Sequence, residues 1–407
     1  MTPPRMRPIR ETIPLDEARA LMAVAARAVE RTETVPLDRA HRRVLAGPVV
    51  AGQDVPPFAR AAMDGYAVVA ADTFGAGQFD PRTALVVEVV HTGEMPTRTV
   101  SRGECVQIAT GAPMPAGADA VVMVEETEKG DDGRVRIFSP VYPGQNVGRQ
   151  GADIQVGQQV LRAGDYLTSS RVGAIAALGI DQVVVYERPR VALLSTGNEI
   201  VEPGEPLPPG HIYDINRFTL SAIVEEHGGV PVPRATSADR LEDLSRALNA
   251  CLAEDLVVFS GGSSVGERDL VLDLVASRGE VTFHGIAVKP GKPTLFGVIE
   301  GTPVLGMPGY PTSCLSNGYM LLVPLLRQLA RLPEAATRTL LLPLGQRVVS
   351  TTGRHQFYTV RIVEGVAMPA FKASGDITSM SQADGYIEIP AQTDILEKGE
   401  MVEVKLF

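Results

Sequence analysis

Tryptophan is absent from these 407 residues, and tyrosine and phenylalanine bring the aromatic share to only 5%. So few flat side chains argue against the stacking platforms that single-stranded nucleic acid needs. Positive charge is not in excess either. Lys and Arg number 38 against 48 Asp and Glu, a net charge of −10, with a pI near 5.2. A nucleic-acid or anionic-membrane surface is therefore not expected, and an anionic ligand must meet a local cationic pocket. Cysteine is scarce. Cys105, Cys251 and Cys314 lie far apart, form no CxxC pair and leave an odd count, the pattern of reduced, buried thiols in a cytoplasmic protein. No apolar run reaches the length of about 18 residues that a membrane span requires. The richest, MLLVPLL at 320–326, contains a proline, and the N-terminal MTPPRMRPIRETIPLDEA lacks a signal-peptide core. The six histidines show no metal spacing, and neither a GxSxG element nor a Cys–His signature occurs, which disfavours zinc chemistry and hydrolase triads. A soluble, cytoplasmic protein is expected.

What the chain does have is concentrated in residues 256–314: LVVFSGGSSVGERD, then VKPGKPT, then LGMPGYPTSC. A run of strand length breaks into a Ser/Gly loop carrying Glu267 and Asp269. Lys289 and Lys292 follow, separated by Pro-Gly, and then Pro308 and Pro311 bracket a Gly-Tyr turn. Glycines let backbone N–H groups approach a phosphate, lysines supply charge, and carboxylates suit a hard cation. The segment is not a P-loop, because Lys292 is followed by Pro293 and the GxxxxGK[ST] spacing is missing.

A chain of this length calls for two to four domains. Helical periodicity covers 15–30, with Asp16 placed as an N-cap, and PLDRA (36–40) reads as a second Pro-Leu-Asp helix start. From 52 to 148 short Val-rich strands alternate with Gly and Pro, which indicates a mostly β domain. Turns at 145–167 lead into a small-residue helix, 169–179. Residues 190–332 alternate strand and helix: strand 191–195, helix 216–229, strand 230–235, helix 239–254 capped by Asp239, strand 256–260, helix 268–279. That order predicts a parallel sheet with helices on both faces, with ligands beyond the carboxyl ends of its strands. The last 75 or so residues return to short strands, as in a small barrel or sandwich. The expected fold is α/β and β multidomain, with a doubly wound α/β central domain.

Several side chains fall at predicted strand ends. In SGGSSVGERD, the loop N–H groups and Ser264 suit an anion and Asp269 a metal; equally, Asp269 is a helix cap in a glycine-rich connection. Glu199 of STGNEI follows the first strand. Asp214 of HIYDINR is a ligand or a cap, and Arg217 is an anion clamp or a surface charge. AAMDGYAV offers Asp64, ATGAPMPAG offers Thr110 and RQGAD offers Asp153.

Taken together, AMDGYAV, TGAPMPAGADAVV, QGADI, STGNEI, IYDINR, SGGSSVGERD, KPGKPT and GMPGYPTSC resemble, in order and over nearly the whole chain, the molybdopterin molybdenumtransferase (MoeA) family, which includes the E domains of gephyrin and plant Cnx proteins. The resemblance implies a cytoplasmic homodimeric transferase that inserts molybdenum from molybdate into adenylylated molybdopterin, with Mg2+, releasing AMP and molybdenum cofactor. It implies an active site at the subunit interface and contact with the molybdopterin adenylyltransferase. It also implies four domains: 1–51 with 149–187 a mixed helical linker domain, 52–148 the β-rich inserted domain with the MDGYA motif, 188–332 the α/β molybdopterin-binding domain, and 333–407 a C-terminal small β-barrel. Catalytic positions carried over are Asp64, Thr110, Asp153, Asp269, Lys289 and Lys292. Glu199 and Asp269 are the Mg2+ candidates. Substrate-binding positions are Gly197, Glu199, Asp214, Arg217, Ser260, Gly261, Gly262, Ser264, Pro308 and Pro311. In the C-terminal domain GRHQFYTVR and ITSM resemble the molybdate-contacting segment, so Arg354 or Arg361 and Ser379 are its candidates; arginine with a serine hydroxyl suits a tetrahedral oxyanion.

Two positions depart from the pattern. Gly285 stands where some members carry a further lysine, and Tyr310 replaces the asparagine of a PGNPVS turn. The alternatives are a non-catalytic pterin-binding or scaffold relative and a tungsten-inserting variant. The related adenylyltransferase class is expected to show a TGGTG-like loop and to lack the MDGYA domain.

Overall fold

The computed structural model describes residue 9 and residues 11–235, 240–261 and 270–407. Gly262, Ser264, Glu267 and Asp269, and the expected cap Asp239, lie outside the described residues. The chain forms two compact units. One comprises the chain up to Glu33, Arg42–Val44 and Val184–Phe407; the other comprises Thr34–His41 and Leu45–Val183.

Helix α1 (Leu15–Ala25) is shorter than the periodicity suggested. Ala26 turns to extended backbone, and the N–H of buried Val29 donates to Leu329 O instead of continuing the helix. The cap position is Pro14, without a side-chain bond; Asp16 sits in the first turn, where a carboxylate favours the helix dipole, 3.5 Å from Arg19.

The second unit opens with PLDRA, which makes only a single 3-10 turn, Leu37–Arg39. Its main sheet joins β1 (Gly65–Val68), β2 (Arg82–Val90), β3 (Glu104–Ile108), β4 (Ala120–Met123), β5 (Thr127–Lys129) and β6 (Arg134–Ile137) in the order β4-β1-β3-β2-β6-β5. Alternate side chains bury on opposite faces: Tyr66, Val68, Cys105 and Val122 on one, Ala67, Val106, Ile108 and Val121 on the other. Helix α2 (Ser169–Ala177) is capped by Thr168, which accepts the Arg171 N–H.

In the first unit a six-stranded sheet uses β7 (Arg190–Ser195), β8 (Val230–Pro233), β9 (Leu256–Ser260), β10 (Glu280–His284), β12 (Leu295–Ile299) and β13 (Thr302–Met307), in the order β8-β7-β9-β13-β12-β10. The first four of that order run parallel, as expected. Strand β12 alone is reversed, antiparallel to both its neighbours β13 and β10, which corrects the all-parallel expectation. The cause is local: only Glu300 and Gly301 separate β12 from β13, and a loop that short closes a hairpin and cannot cross over.

Helices α3 (Asn216–Glu226), α6 (Pro311–Asn317) and α7 (Val323–Leu329) join α1 over one face, against Val191, Leu193, Val258 and Leu305. Helices α4 (Leu241–Asn249) and α5 (Leu270–Arg278) cover the other, against Ala192, Leu194, Val257 and Phe259. Strands buried on both faces are apolar throughout, which explains the runs VALLS and LVVFS.

The C-terminal strands are β14 (Thr339–Pro343), β15 (His355–Val363), β16 (Val366–Pro369), β17 (Gly385–Ile389) and β18 (Met401–Leu406), with a short helix α8 (Thr378–Ser381) between β16 and β17. They pair β16-β15-β17-β18-β14, and a bridge from Leu344 to Ala367 returns from the β14 end to β16, closing a small barrel. A further short strand, β11 (Val288–Lys289), leaves the α/β sheet and pairs parallel with His355 and Gln356 of this barrel. All three cysteines are buried and free. Among the described residues no helix is long and apolar enough to cross a membrane.

Glu388 on β17 stands 3.5 Å from His355 Nε2 and 3.1 Å from Lys405 Nζ. His355, and then Lys405, hold its carboxyl down at about 2, from 4.5, against the opposing effect of burial. A depressed carboxyl stabilises the fold above its unfolded value and loses that contribution as pH falls through the folded one. The thermal midpoint is therefore expected to drop between about pH 4.5 and 2, by an amount equivalent to at most about 3 kcal/mol. Glu388→Gln should flatten that dependence in a melting series, and an unchanged slope would refute the assignment.

Candidate active site

Strands β7 and β9 end side by side. Ser195 pairs with Ser260 in register, and their hydroxyls are 3.2 Å apart. Beyond these ends opens a cleft of about 1830 Å³ between the α/β sheet and the C-terminal barrel. Parallel strands leave their carboxyl ends open in this way, because the following chain departs to helices on either side. The described residues that line the cleft include Glu199, Asp214, Ser260, Gly261, Lys289, Lys292, Pro308, Pro311 and Arg354.

The two lysines are held by the fold. Lys289 Nζ donates to Thr351 Oγ1 at 2.7 Å, and Lys292 Nζ donates to Ile9 O at 2.7 Å. An ammonium carries three donors, so each bond fixes a charge without exhausting it. The loop between them depends on one buried amide. Asn317 Nδ2 donates to Gly291 O at 3.0 Å and to Thr294 Oγ1 at 2.6 Å, while Thr294 Oγ1 donates to Gly291 O at 2.8 Å. Gly291 has φ +107, and a Cβ there would lie 2.3 Å from Asn317 Oδ1. Gly285 is equally constrained: a Cβ would lie 2.4 Å from Ile9 Cγ2 and 2.9 Å from Glu11 O, so a lysine has no room there.

Asp214 is 3% exposed, and its Oδ1 accepts the Arg217 N–H at 3.1 Å in the first turn of α3. Arg217 does not line the cleft. Its guanidinium pairs with Glu202, approaches Asp214 Oδ2 at 4.0 Å and lies 4.8 Å from the Phe218 ring. Glu199 is exposed at the cleft, and Gly197 is two residues before it. Among the described residues no group of three or more His, Cys, Asp or Glu is placed to hold a metal. Burial pushes the Cys314 thiol up, with the Asp214 charge adding to the effect, so this cysteine stays protonated.

In the barrel, Arg354 lines the cleft, whereas Arg361 lies on β15 opposite Met368 and is exposed away from the cleft lining. Ser379 is fully buried and accepts the Lys372 N–H at 3.0 Å. In the second unit Asp64 Oδ1 accepts the Thr110 N–H at 2.7 Å, which brings those two together. Asp153 is exposed beside the Val55–Ile154 bridge.

Sequence reasoning passed over four residues: Thr196, Asn216, Asn317 and Thr351. Asn317 left the clearest signal, an amide inside the apolar run SCLSNGYMLLV. Asn216 Nδ2 donates to Gly309 O at 2.8 Å and so anchors the Pro-Gly-Tyr-Pro turn. Thr196 Oγ1, Asp214 Oδ2 and Asn216 Oδ1 are buried with no hydrogen-bond partner among the described residues. A buried polar group left unpaired costs roughly 1–3 kcal/mol, and all three of these belong to residues that line the cleft.

Three family models match the chain: the MoeA N-terminal region (domain I and II) over 13–179, a probable molybdopterin binding domain over 192–328, and the MoeA C-terminal region (domain IV) over 342–407. The chain is 35% identical to molybdopterin molybdenumtransferase 2 of Mycobacterium tuberculosis, over 92% of this chain and 95% of that protein. It is 32% identical to the molybdopterin molybdenumtransferase of Nostoc, over 92% and 88%. The crystal structure of a molybdopterin biosynthesis MoeA protein from Pyrococcus horikoshii superposes with a TM-score of 0.84 at 41% identity, over 97% of this chain and 99% of that one.

Proposed function

Because the chain belongs to the MoeA family, we propose that it is a molybdopterin molybdenumtransferase acting in molybdenum cofactor biosynthesis, which inserts molybdenum from molybdate into adenylylated molybdopterin with release of AMP. The observation that carries this reading is a set of cations in the cleft of an otherwise acidic chain: Lys289, Lys292 and Arg354 line it together, beyond the carboxyl ends of β7 and β9. Fixed ammonium groups stabilise phosphate oxygens without reorganising, and a guanidinium grips a tetrahedral oxyanion through paired N–H donors. Positioning and charge do most of the work in such a reaction.

Mg2+ suits the donors present. It binds through one or two carboxylates, its own waters and substrate phosphates, and needs no all-protein cage. Glu199, exposed at the cleft, would hold it on the described side; Asp269 is the other candidate and lies outside the described residues. Bound there, the cation would neutralise the pyrophosphate charge as the bond to AMP breaks. Lys289 and Lys292 hold the phosphate end, and Arg354 meets the molybdate. Homodimerisation with the site at the subunit interface belongs to the same reading and rests on the family resemblance.

The test is AMP release from adenylylated molybdopterin by the purified protein. Release that requires both molybdate and Mg2+ is the expected result. Absence of release under every combination would overturn the proposal.

A further inference from the structure

The cleft lining holds two chemically opposite sets of groups. In one, Lys289, Lys292 and Arg354 present only donors and positive charge. In the other, the atoms without a hydrogen-bond partner are acceptors. Asp214 Oδ2 has no hydrogen bond, although the Arg217 guanidinium lies 4.0 Å away, and it belongs to a carboxylate whose other oxygen is taken by the Arg217 N–H. The orientation of the Asn216 amide is fixed by its neighbour: Gly309 O can only accept, so Nδ2 must face it and Oδ1 is left as an acceptor. Thr196 Oγ1 can accept or donate. These groups are contiguous. Thr196 N donates to Ser260 O, Gly261 N donates to Met307 O, and a Cβ on Gly309 would lie 3.5 Å from Gly261 Cα. All three are more than nine-tenths buried, and all three line the cleft.

An oxyanion carries only acceptors and is rejected by such a floor. The aminopyrimidinone edge of a pterin presents a ring N–H beside an exocyclic NH2, a donor pair that matches a carboxylate and leaves a further N–H for an amide oxygen. Tyr310, 68% exposed, lines the same cleft on a turn between Pro308 and Pro311, next to the carbonyl that Asn216 holds. It is the more exposed of two tyrosines in the cleft lining, Tyr213 being 39% exposed, and Gly375 on the facing segment is close enough that a Cβ there would lie 3.9 Å from Tyr310 Cδ1.

We propose that Asp214, Asn216 and Thr196 form an acceptor floor that reads the N–H edge of the pterin ring, with Tyr310 as the face on which the ring stacks. The inference rests on the function proposed above and adds orientation to it: the pterin ring is held at the floor and the phosphate at the lysines. Tyr310, which departs from the family's asparagine, is then a specificity residue of this chain.

The probes are 6-hydroxymethylpterin and the matching lumazine, in which the 2-amino group is replaced by oxygen. Binding is followed by ligand fluorescence, with no protein tryptophan to interfere. Wild type is expected to prefer the pterin by about 10⁴-fold, since a site built for a donor rejects an analogue that lacks it. Asp214→Asn keeps an oxygen for the Arg217 N–H and should lose that preference with its melting temperature kept. Tyr310→Leu should weaken both probes about tenfold, and Tyr310→Phe should restore them. Equal affinity of wild type for the two probes overturns the inference, as does tight binding of Mg2+ alone that disappears in Asp214→Asn, which would make the floor a cation site. AMP release without pterin preference sinks only this inference; pterin preference without AMP release sinks the proposed function and leaves the binding floor standing.

Discussion

Lys289→Ala and Lys292→Ala, made together, are expected to lower kcat/KM for cofactor formation by at least 10²–10³-fold, about the loss seen when one preorganised charge donor is removed. The two effects should not add, because both ammonium groups act on one anionic ligand. Each lysine spends one bond on the fold, to Thr351 and to Ile9, so the double variant should melt within a few degrees of wild type. A rise in KM with kcat unchanged would mean that the lysines only bind the ground state; a fall in kcat would place them on charge that develops as AMP leaves. Full activity in the double variant would remove the cleft from the chemistry.

Gly291→Ala should be nearly as damaging for a different reason. At φ +107 an L-residue is strained, which costs on the order of 1–3 kcal/mol. The added methyl also meets Asn317 Oδ1 at 2.3 Å, and Asn317 is fully buried and bonded to Gly291 O and Thr294 Oγ1. It cannot retreat without breaking the bonds that shape the loop. Both lysine ammonium positions should then shift, and a misplacement of about 1 Å is enough to cost on the order of 10²-fold. Steady-state kinetics beside a melting curve will separate the contributions: a modest loss of stability with a large loss of turnover is expected. Wild-type turnover would show that the loop's shape is irrelevant to the reaction.

The parts of this fold that could be read in advance were those where the pattern is local. LVVFS and VALLS are apolar throughout because both faces of the sheet are covered, and the strands begin and end close to where the runs do. The hairpin of β12 and β13 was not among the expected strands, since LFGVI and TPVLGM carry no alternation and a Glu-Gly turn is a modest signal. Helix α1 ended five residues early because Val29 is claimed by a contact with a segment 300 residues away, which no local pattern contains.

The site divides along the same line. Lys289, Lys292 and Glu199 were visible because charge and proline-glycine punctuation stand out in sequence. Asn216, Asn317 and Thr196 were not, because their importance comes from being buried and, in part, unpartnered, which depends on the tertiary fold. Arg354 and Arg361 lie seven residues apart in one segment, and only the fold separates them: Arg354 precedes β15 and lines the cleft, whereas Arg361 sits on the strand opposite Met368.

The most direct test mixes purified protein with one equivalent of adenylylated molybdopterin and excess molybdate in a single turnover. AMP is measured, and active cofactor is scored by reconstitution of an apo-molybdoenzyme. Wild type should yield one AMP for each cofactor formed, and the Lys289→Ala, Lys292→Ala protein almost none. Equal yields from the two proteins, or AMP without cofactor in wild type, would contradict the account.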